Sequence, residues 1–119
     1  DLPPREFLKF VENLKNSKIK INYDTGNSVS LGYNFTEELN LYGHLISNIH
    51  IKDRLFGGAS VPLGTGDCNF KNFFEYLSKK DFRGLLILQA YRDDDALSSL
   101  KPQYNFIKEC MEKYLYKNK

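Results

Sequence analysis

Apolar residues recur along this chain with two different rhythms. Phe7, Leu8, Phe10, Val11 and Leu14 follow Pro3-Pro4 at helical spacing, which predicts an amphipathic helix from about Pro4 to Asn16, proline being tolerated in its first turn. Lys18–Tyr23 then reads as a strand, broken off by the polar loop signals Asp24-Thr25-Gly26-Asn27. Thr36-Glu37-Glu38 opens a second helix, with Thr36 as the expected N-cap, running to about His44. Ile46–Ile51 is a second strand. A long loop from Lys52 to Asn69 holds Gly57-Gly58 and Gly64-Thr65-Gly66. Asn69 is placed to cap a helix carrying Phe70, Phe73, Phe74 and Leu77. Gly84-Leu85-Leu86-Ile87-Leu88 is the clearest strand, and a last helix over about Pro102 to Tyr116 buries Phe106, Ile107, Cys110, Met111 and Tyr114.

The order is helix, strand, helix, strand, helix, strand, helix, and the strands are almost continuously apolar. Such alternation predicts parallel strands joined by helical crossovers, hence an α/β protein. Three strands cannot close a barrel, so they form either a small open sheet or the last part of a (β/α)8 barrel. A chain that starts at Asp1, without Met, with a loop and a helix suggests that something preceded it. No Gly-x-Gly-x-x-Gly turn follows a strand and no Walker-type loop occurs, so nucleotide-binding doubly wound folds lose their main signature.

Composition narrows the partners. With 17 Lys+Arg against 15 Asp+Glu, the formal charge of +2 argues against nucleic acid and anionic membrane surfaces. No apolar stretch approaches the roughly 20 residues of a membrane span, and the N-terminus has no signal-peptide pattern. Cys68 and Cys110 stand far apart without ligand-like spacing, which reads as reduced packing cysteines of a cytoplasmic protein. Asn34-Phe35-Thr36 matches a glycosylation sequon but lacks a secretion context.

Each strand ends in polar chemistry. The first ends at Asp24, the second carries His50 followed by Lys52-Asp53, and the third ends at Gln89. Alternation puts Asn22 with Asp24, Asn48 with His50 and Lys52, and Leu85 with Ile87 and Gln89 on single faces. Taken singly, Asp24 is a turn-former or cap, His50 a hydrogen-bonded half-buried side chain, and Gly64-Thr65-Gly66-Asp67 either an ordinary turn or a set of N–H groups for a phosphate. Their coincidence at all three strand ends favours a shared site, and Asp with His begins a divalent-metal site.

Three segments together resemble a known family: Asn22-Tyr23-Asp24-Thr25-Gly26-Asn27-Ser28, Ile49-His50-Ile51-Lys52-Asp53-Arg54 and Val61-Pro62-Leu63-Gly64-Thr65-Gly66-Asp67. In order and spacing they look like successive motifs of the xylose isomerase-like TIM barrels, nearest in pattern to hexulose-6-phosphate isomerases and ribulose-5-phosphate 3-epimerases. The resemblance implies that residues 1–119 are the C-terminal part of one such barrel, about three βα units and a preceding helix. It also implies a divalent cation (Mn, Mg, Co or Zn) held by Glu, Asp, His and Glu on strands five to eight. Asp24 and His50 match the second and third ligands, the first Glu would lie upstream of Asp1, and the fourth position falls on Gln89.

The family's chemistry is proton removal beside a carbonyl, giving an enediolate whose charge the metal stabilises. Gln89 offers a carbonyl oxygen to a hard cation but cannot titrate near neutral pH, so it cannot be the second base of an epimerase. That leaves a single-base isomerase relying on the upstream Glu, or an enzyme that recruits Lys52 or water. Lys52 and Arg54 are candidates to grip a phosphate or sugar carboxylate, Lys52 sharing the parity of His50. Asp53 would orient Lys52 or a water, and Asn27 would bond a sugar hydroxyl or cap its turn. Arg92 is either a phosphate contact or a surface Arg beside Asp93-Asp94-Asp95. The expected substrate is thus a sugar or sugar phosphate, turned over by the whole barrel, with the piece alone inactive and two open strand edges inviting self-association. Two rivals are an inactive sugar-binding relic, favoured by Gln89, and an endonuclease-IV-like phosphodiesterase, disfavoured by the few ligands and the balanced charge.

Overall fold

The computed structural model describes residues 2–14 and 18–117. Helix α1 (Pro4–Asn13) starts in the first-turn proline and closes on Leu14, short of the Asn16 expected from spacing, which lies outside the described residues. Strand β1 (Ile21–Asp24) begins later than Lys18 and takes in Asp24. Strand β2 (Ile46–Ile51) has the predicted bounds, and β5 (Leu85–Leu88) begins one residue after Gly84. These three strands form one parallel sheet in the order β1-β2-β5.

The expected polar loop after β1 is instead helix α2 (Thr25–Leu31). Thr, Gly, Asn and Ser are weak helix formers, so the sequence signals a turn. Tertiary bonding overrides that preference. The Asp24 carboxylate caps the helix by accepting the Asn27 N–H at 2.8 Å, and Gly32, at φ 75°, closes it in the left-handed conformation. Helix α3 (Phe35–Tyr42) is capped by Asn34, not Thr36: the Asn34 side chain accepts the Thr36 N–H at 2.8 Å. A single 3₁₀ turn, Gly43–Leu45, then carries exposed His44 into β2.

The long loop expected over 52–69 contains a small antiparallel hairpin, β3 (Asp53–Arg54) with β4 (Ser60–Val61). Helix α4 (Phe70–Lys79) is capped by Asn69 as expected. Helix α5 (Ala96–Cys110) starts six residues before Pro102, capped by the Asp95 carboxylate on the Ser98 N–H, and ends in a π-helical turn, Met111–Leu115. Proline read as a helix start is therefore an interior residue, with the cap supplied upstream.

One face of the sheet meets the helices. Ile21, Tyr23, Ile46, Ile49 and Ile51 are buried against Phe73, Phe74, Leu77 and Ile107. Simple alternation would not bury both Ile46 and Ile49. A register shift lets Ile46 pair with Ile21 while Asn48, skipping Ser47, pairs with Asn22, so both isoleucines face the core. Phe106, Cys110, Met111 and Tyr114 are only half-buried at its margin, where Ile107 and Leu115 are buried. Among the described residues no helix covers the opposite face, and Leu85 and Ile87 remain 69% and 40% exposed there.

Candidate active site

The uncovered face carries the polar strand ends. In register, Asn22, Asn48 and Leu85 form one row, and Asp24, His50 and Ile87 form the next. Neighbouring strands lie about 4.8 Å apart, so Asp24 and His50 stand side by side. Beyond that row the Gln89 N–H donates to the Ile51 carbonyl at 2.9 Å, which extends the β2–β5 pairing and holds Gln89 opposite Lys52.

The row has internal order. Asn48 donates its amide to Asn22, and the Asn22 amide nitrogen in turn donates to His50 Nδ1 at 3.4 Å. With Nδ1 accepting, a neutral His50 carries its proton on Nε2. One Asp24 oxygen is engaged with the α2 amide, and its other oxygen has no hydrogen-bond partner among the described residues. Among the described residues no group of three or more His, Cys, Asp or Glu comes together as a metal cluster. Asp24, His50 and Gln89 do supply a carboxylate oxygen, an imidazole and an amide oxygen from three consecutive strand ends. That donor set suits a hard or borderline divalent ion.

The second strand end divides into two groups. Thr25, buried in the first turn of α2, donates to the Lys52 carbonyl at 2.6 Å and accepts the Lys52 N–H at 2.9 Å. Gly26 lets the Lys52 stem pass: a Cβ there would lie 2.8 Å from Lys52 Cγ. The Lys52 ammonium makes no ion pair among the described residues. Asp53 is different. It is 1% exposed, and its carboxylate accepts N–H groups from Gly64 at 2.9 Å, Gly66 at 3.0 Å and Cys68 at 3.1 Å. Its oxygens are occupied by the glycine loop rather than turned toward Lys52 or a water. The anion cradled by the Gly64 and Gly66 amides is thus the protein's own carboxylate and not a phosphate. Burial, reinforced by this carboxylate, pushes the Cys68 thiol up to about 12.

Arg54 is also committed to the framework. Its guanidinium donates to the Gly58 carbonyl at 3.0 and 2.7 Å and to the Asn27 side chain at 3.1 Å. Asn27 therefore meets Arg54 and the Asp24 cap. Arg92 is exposed and makes no ion pair with Asp93, Asp94 or Asp95.

Two buried polar residues escaped the sequence reading. Glu38 accepts the Tyr23 hydroxyl at 2.7 Å, the Tyr42 hydroxyl at 3.0 Å and the Ser28 hydroxyl, joining β1, α2 and α3. Burial first and the Glu38 carboxylate second raise both tyrosine hydroxyls above their ordinary pKa. In sequence Glu38 looks like a first-turn acid favoured by the helix dipole, and only its i, i+4 spacing to Tyr42 hints otherwise. Gln103 is the other, with no sequence signal at all.

A sequence-family model described as "Xylose isomerase-like TIM barrel" matches residues 4–110. The chain belongs to the xylose isomerase-like TIM barrel family. It is 30% identical over 99 residues to a putative L-ribulose-5-phosphate 3-epimerase SgbU of Haemophilus influenzae, a match covering 76% of this chain and 35% of that protein. It is 27% identical over 97 residues to an inosose dehydratase of Clostridium botulinum, covering 66% of this chain and 33% of the relative. The crystal structure of a xylose isomerase domain protein from Planctomyces limnophilus superposes with a TM-score of 0.80 at 24% identity, over 93% of this chain and 44% of that one.

The chain thus spans about a third of the length of the relatives it matches. Its three-stranded sheet is part of a xylose isomerase-like barrel. In such parallel barrels active sites lie at the C-terminal ends of the strands, which is the end that holds Asp24, His50 and Gln89.

Proposed function

We propose that the barrel to which this chain belongs is a divalent-metal-dependent isomerase or epimerase of a sugar or sugar phosphate, and that Asp24, His50 and Gln89 hold its metal together with a Glu supplied from upstream. The observation that supports this most is the pairing of Asp24 with His50 on the open face, with Asn22 fixing the imidazole from below. A divalent ion there supplies positive charge against the oxyanion that develops when a carbon beside a carbonyl loses its proton.

The chain's own residues set the rest. Asn22 holds the ring of His50, and Thr25 pins the backbone at Lys52, whose side chain shares the strand parity of His50. Lys52 and Arg92 are the cations left for a substrate phosphate or carboxylate, whereas Asp53, Arg54 and Asn27 build the wall behind it. Gln89 carries no titratable proton near neutral pH, so proton transfer falls to the upstream Glu, with Lys52 the second candidate.

The test uses the full encoded protein with a panel of ketoses and ketose phosphates in D₂O, followed by NMR. Metal-dependent exchange of the C–H beside the carbonyl is expected, abolished by EDTA and by Asp24→Asn. Sugar binding without exchange in the presence of Mn²⁺ would instead favour the inactive sugar-binding reading to which Gln89 points.

A further inference from the structure

Gln103 lies on α5, away from the Asp24–His50 row, yet it is 4% exposed and every polar atom of its side chain is used. Its Oε1 accepts the Leu63 N–H at 3.0 Å and the Tyr91 N–H at 3.0 Å. Its Nε2 donates to the Tyr91 carbonyl at 2.9 Å and the Ser99 carbonyl at 2.8 Å. Both backbone groups of Tyr91 thus bond to one amide, much as they would to a neighbouring strand. Leu63 belongs to the loop whose glycines close on Asp53, immediately after the strand end that carries His50 and Lys52. Tyr91 lies between Gln89 and Arg92.

We propose that Gln103 is a positioning residue of the mouth, which locks the segment after β5 to the loop after β2 and so fixes where Gln89 and Arg92 stand relative to His50 and Lys52. The inference rests on the reading of that mouth as a metal and sugar site. Past Gln89 the strand pairing stops, and among the described residues the hydrogen bonds that hold the Tyr91 backbone are those to Gln103. Pro102 supports the geometry from the helix side. Its ring removes an N–H from the α5 ladder, and the adjacent Gln103 side chain turns back to the Ser99 carbonyl while reaching forward to Tyr91.

The chemistry also requires glutamine. Two backbone donors converge on one side-chain oxygen and two backbone acceptors on one nitrogen, a pattern only a carboxamide of this length satisfies. Glutamate keeps the acceptor for Leu63 and Tyr91 but sets a second oxygen against two carbonyls. Methionine matches the length and offers no strong bond.

The experiment compares the full encoded protein with Gln103→Glu, Gln103→Met and, as an exposed control on the same helix, Asn105→Ala. Two readouts are taken: amide hydrogen exchange by NMR, and Mn²⁺ affinity by titration calorimetry. Amides of Tyr91 and Leu63 are expected to exchange faster in both Gln103 variants while those of Ile49 and Phe74 keep their protection. Mn²⁺ affinity is expected to fall about 10- to 100-fold, the usual consequence of losing a group that orients a metal ligand. Wild-type affinity in both variants would overturn the proposal. Should the wild type itself take no Mn²⁺, the metal reading fails instead, and the exchange data alone decide: unchanged Tyr91 and Leu63 amides would overturn the latch. If Gln103→Met does not fold, Gln103→Glu carries the test, because it keeps the length of the side chain while its second oxygen is repelled by the Tyr91 and Ser99 carbonyls and so opens the latch.

Discussion

Three backbone N–H groups converge on the Asp53 carboxylate, and this one residue organises the loop beside the mouth. Gly64 adopts φ 90°, which an L side chain rarely tolerates, and a Cβ on Gly66 would lie 2.7 Å from the Arg54 carbonyl and closer still to Asp53 Oδ1. The glycines are there so that the backbone can wrap a buried acid. Asp53→Asn would turn an NH₂ toward the converging donors and leave at least one of them buried and unpaired. It should cost about 3 kcal/mol, measured by urea unfolding. A loss below about 0.5 kcal/mol would mean that the loop holds its shape by other means. From sequence alone Asp53 reads as a site residue that orients Lys52 or a water. Its direction depended on the hairpin β3–β4, whose pairing is not local.

At the scale of elements, local propensity and tertiary bonding disagree in two helices. Helix α2 is built from poor helix formers and persists through the Asp24 cap, the Gly32 closure and the bonds of Thr25 to Lys52. Helix α5 runs through Pro102, whose missing N–H leaves the Ser98 carbonyl without its intrahelical donor. Pro102→Ala should restore that bond and raise stability by about 1 kcal/mol, a modest part of the roughly 3 kcal/mol an interior proline costs. The check is the thermal unfolding midpoint, which should rise. A fall would show that Pro102 is needed to bring Gln103 against Tyr91. In α3 and α5 the cap itself lies outside the obvious signal: Asn34 and Asp95 stand upstream of the residues, Thr36 and Pro102, that carry the stronger start signal in one dimension.

At the scale of the whole molecule, the sheet has one finished face and one unfinished one. Its helix side buries Ile49, Phe73 and Phe74 almost completely, while Leu85 on the other side is 69% exposed and, among the described residues, no strand pairs with the outer edges of β1 and β5. Open parallel edges beside exposed apolar residues favour association. The isolated 119-residue chain is expected to self-associate with rising concentration, read by size exclusion with light scattering. Leu85→Lys should shift it toward monomer while changing stability by less than about 0.5 kcal/mol, since Leu85 contributes little to the core. Association unaltered by Leu85→Lys would place the contact elsewhere.

The sequence by itself determined the alternation of helices and strands, the parallel sheet, the family, and the sharing of one face by Asp24 and His50. Each follows from short-range periodicity or from motifs whose residues sit close together in the chain. Only the tertiary structure decided which polar residues stand on the open face of the sheet and which are tied into the framework. Asp53, Arg54, Glu38 and Gln103 all satisfy backbone or hydroxyl groups 4 to 40 positions away. A buried polar group takes whichever partner the fold brings within hydrogen-bond reach, and that choice is made by packing, not by the neighbours it has in sequence.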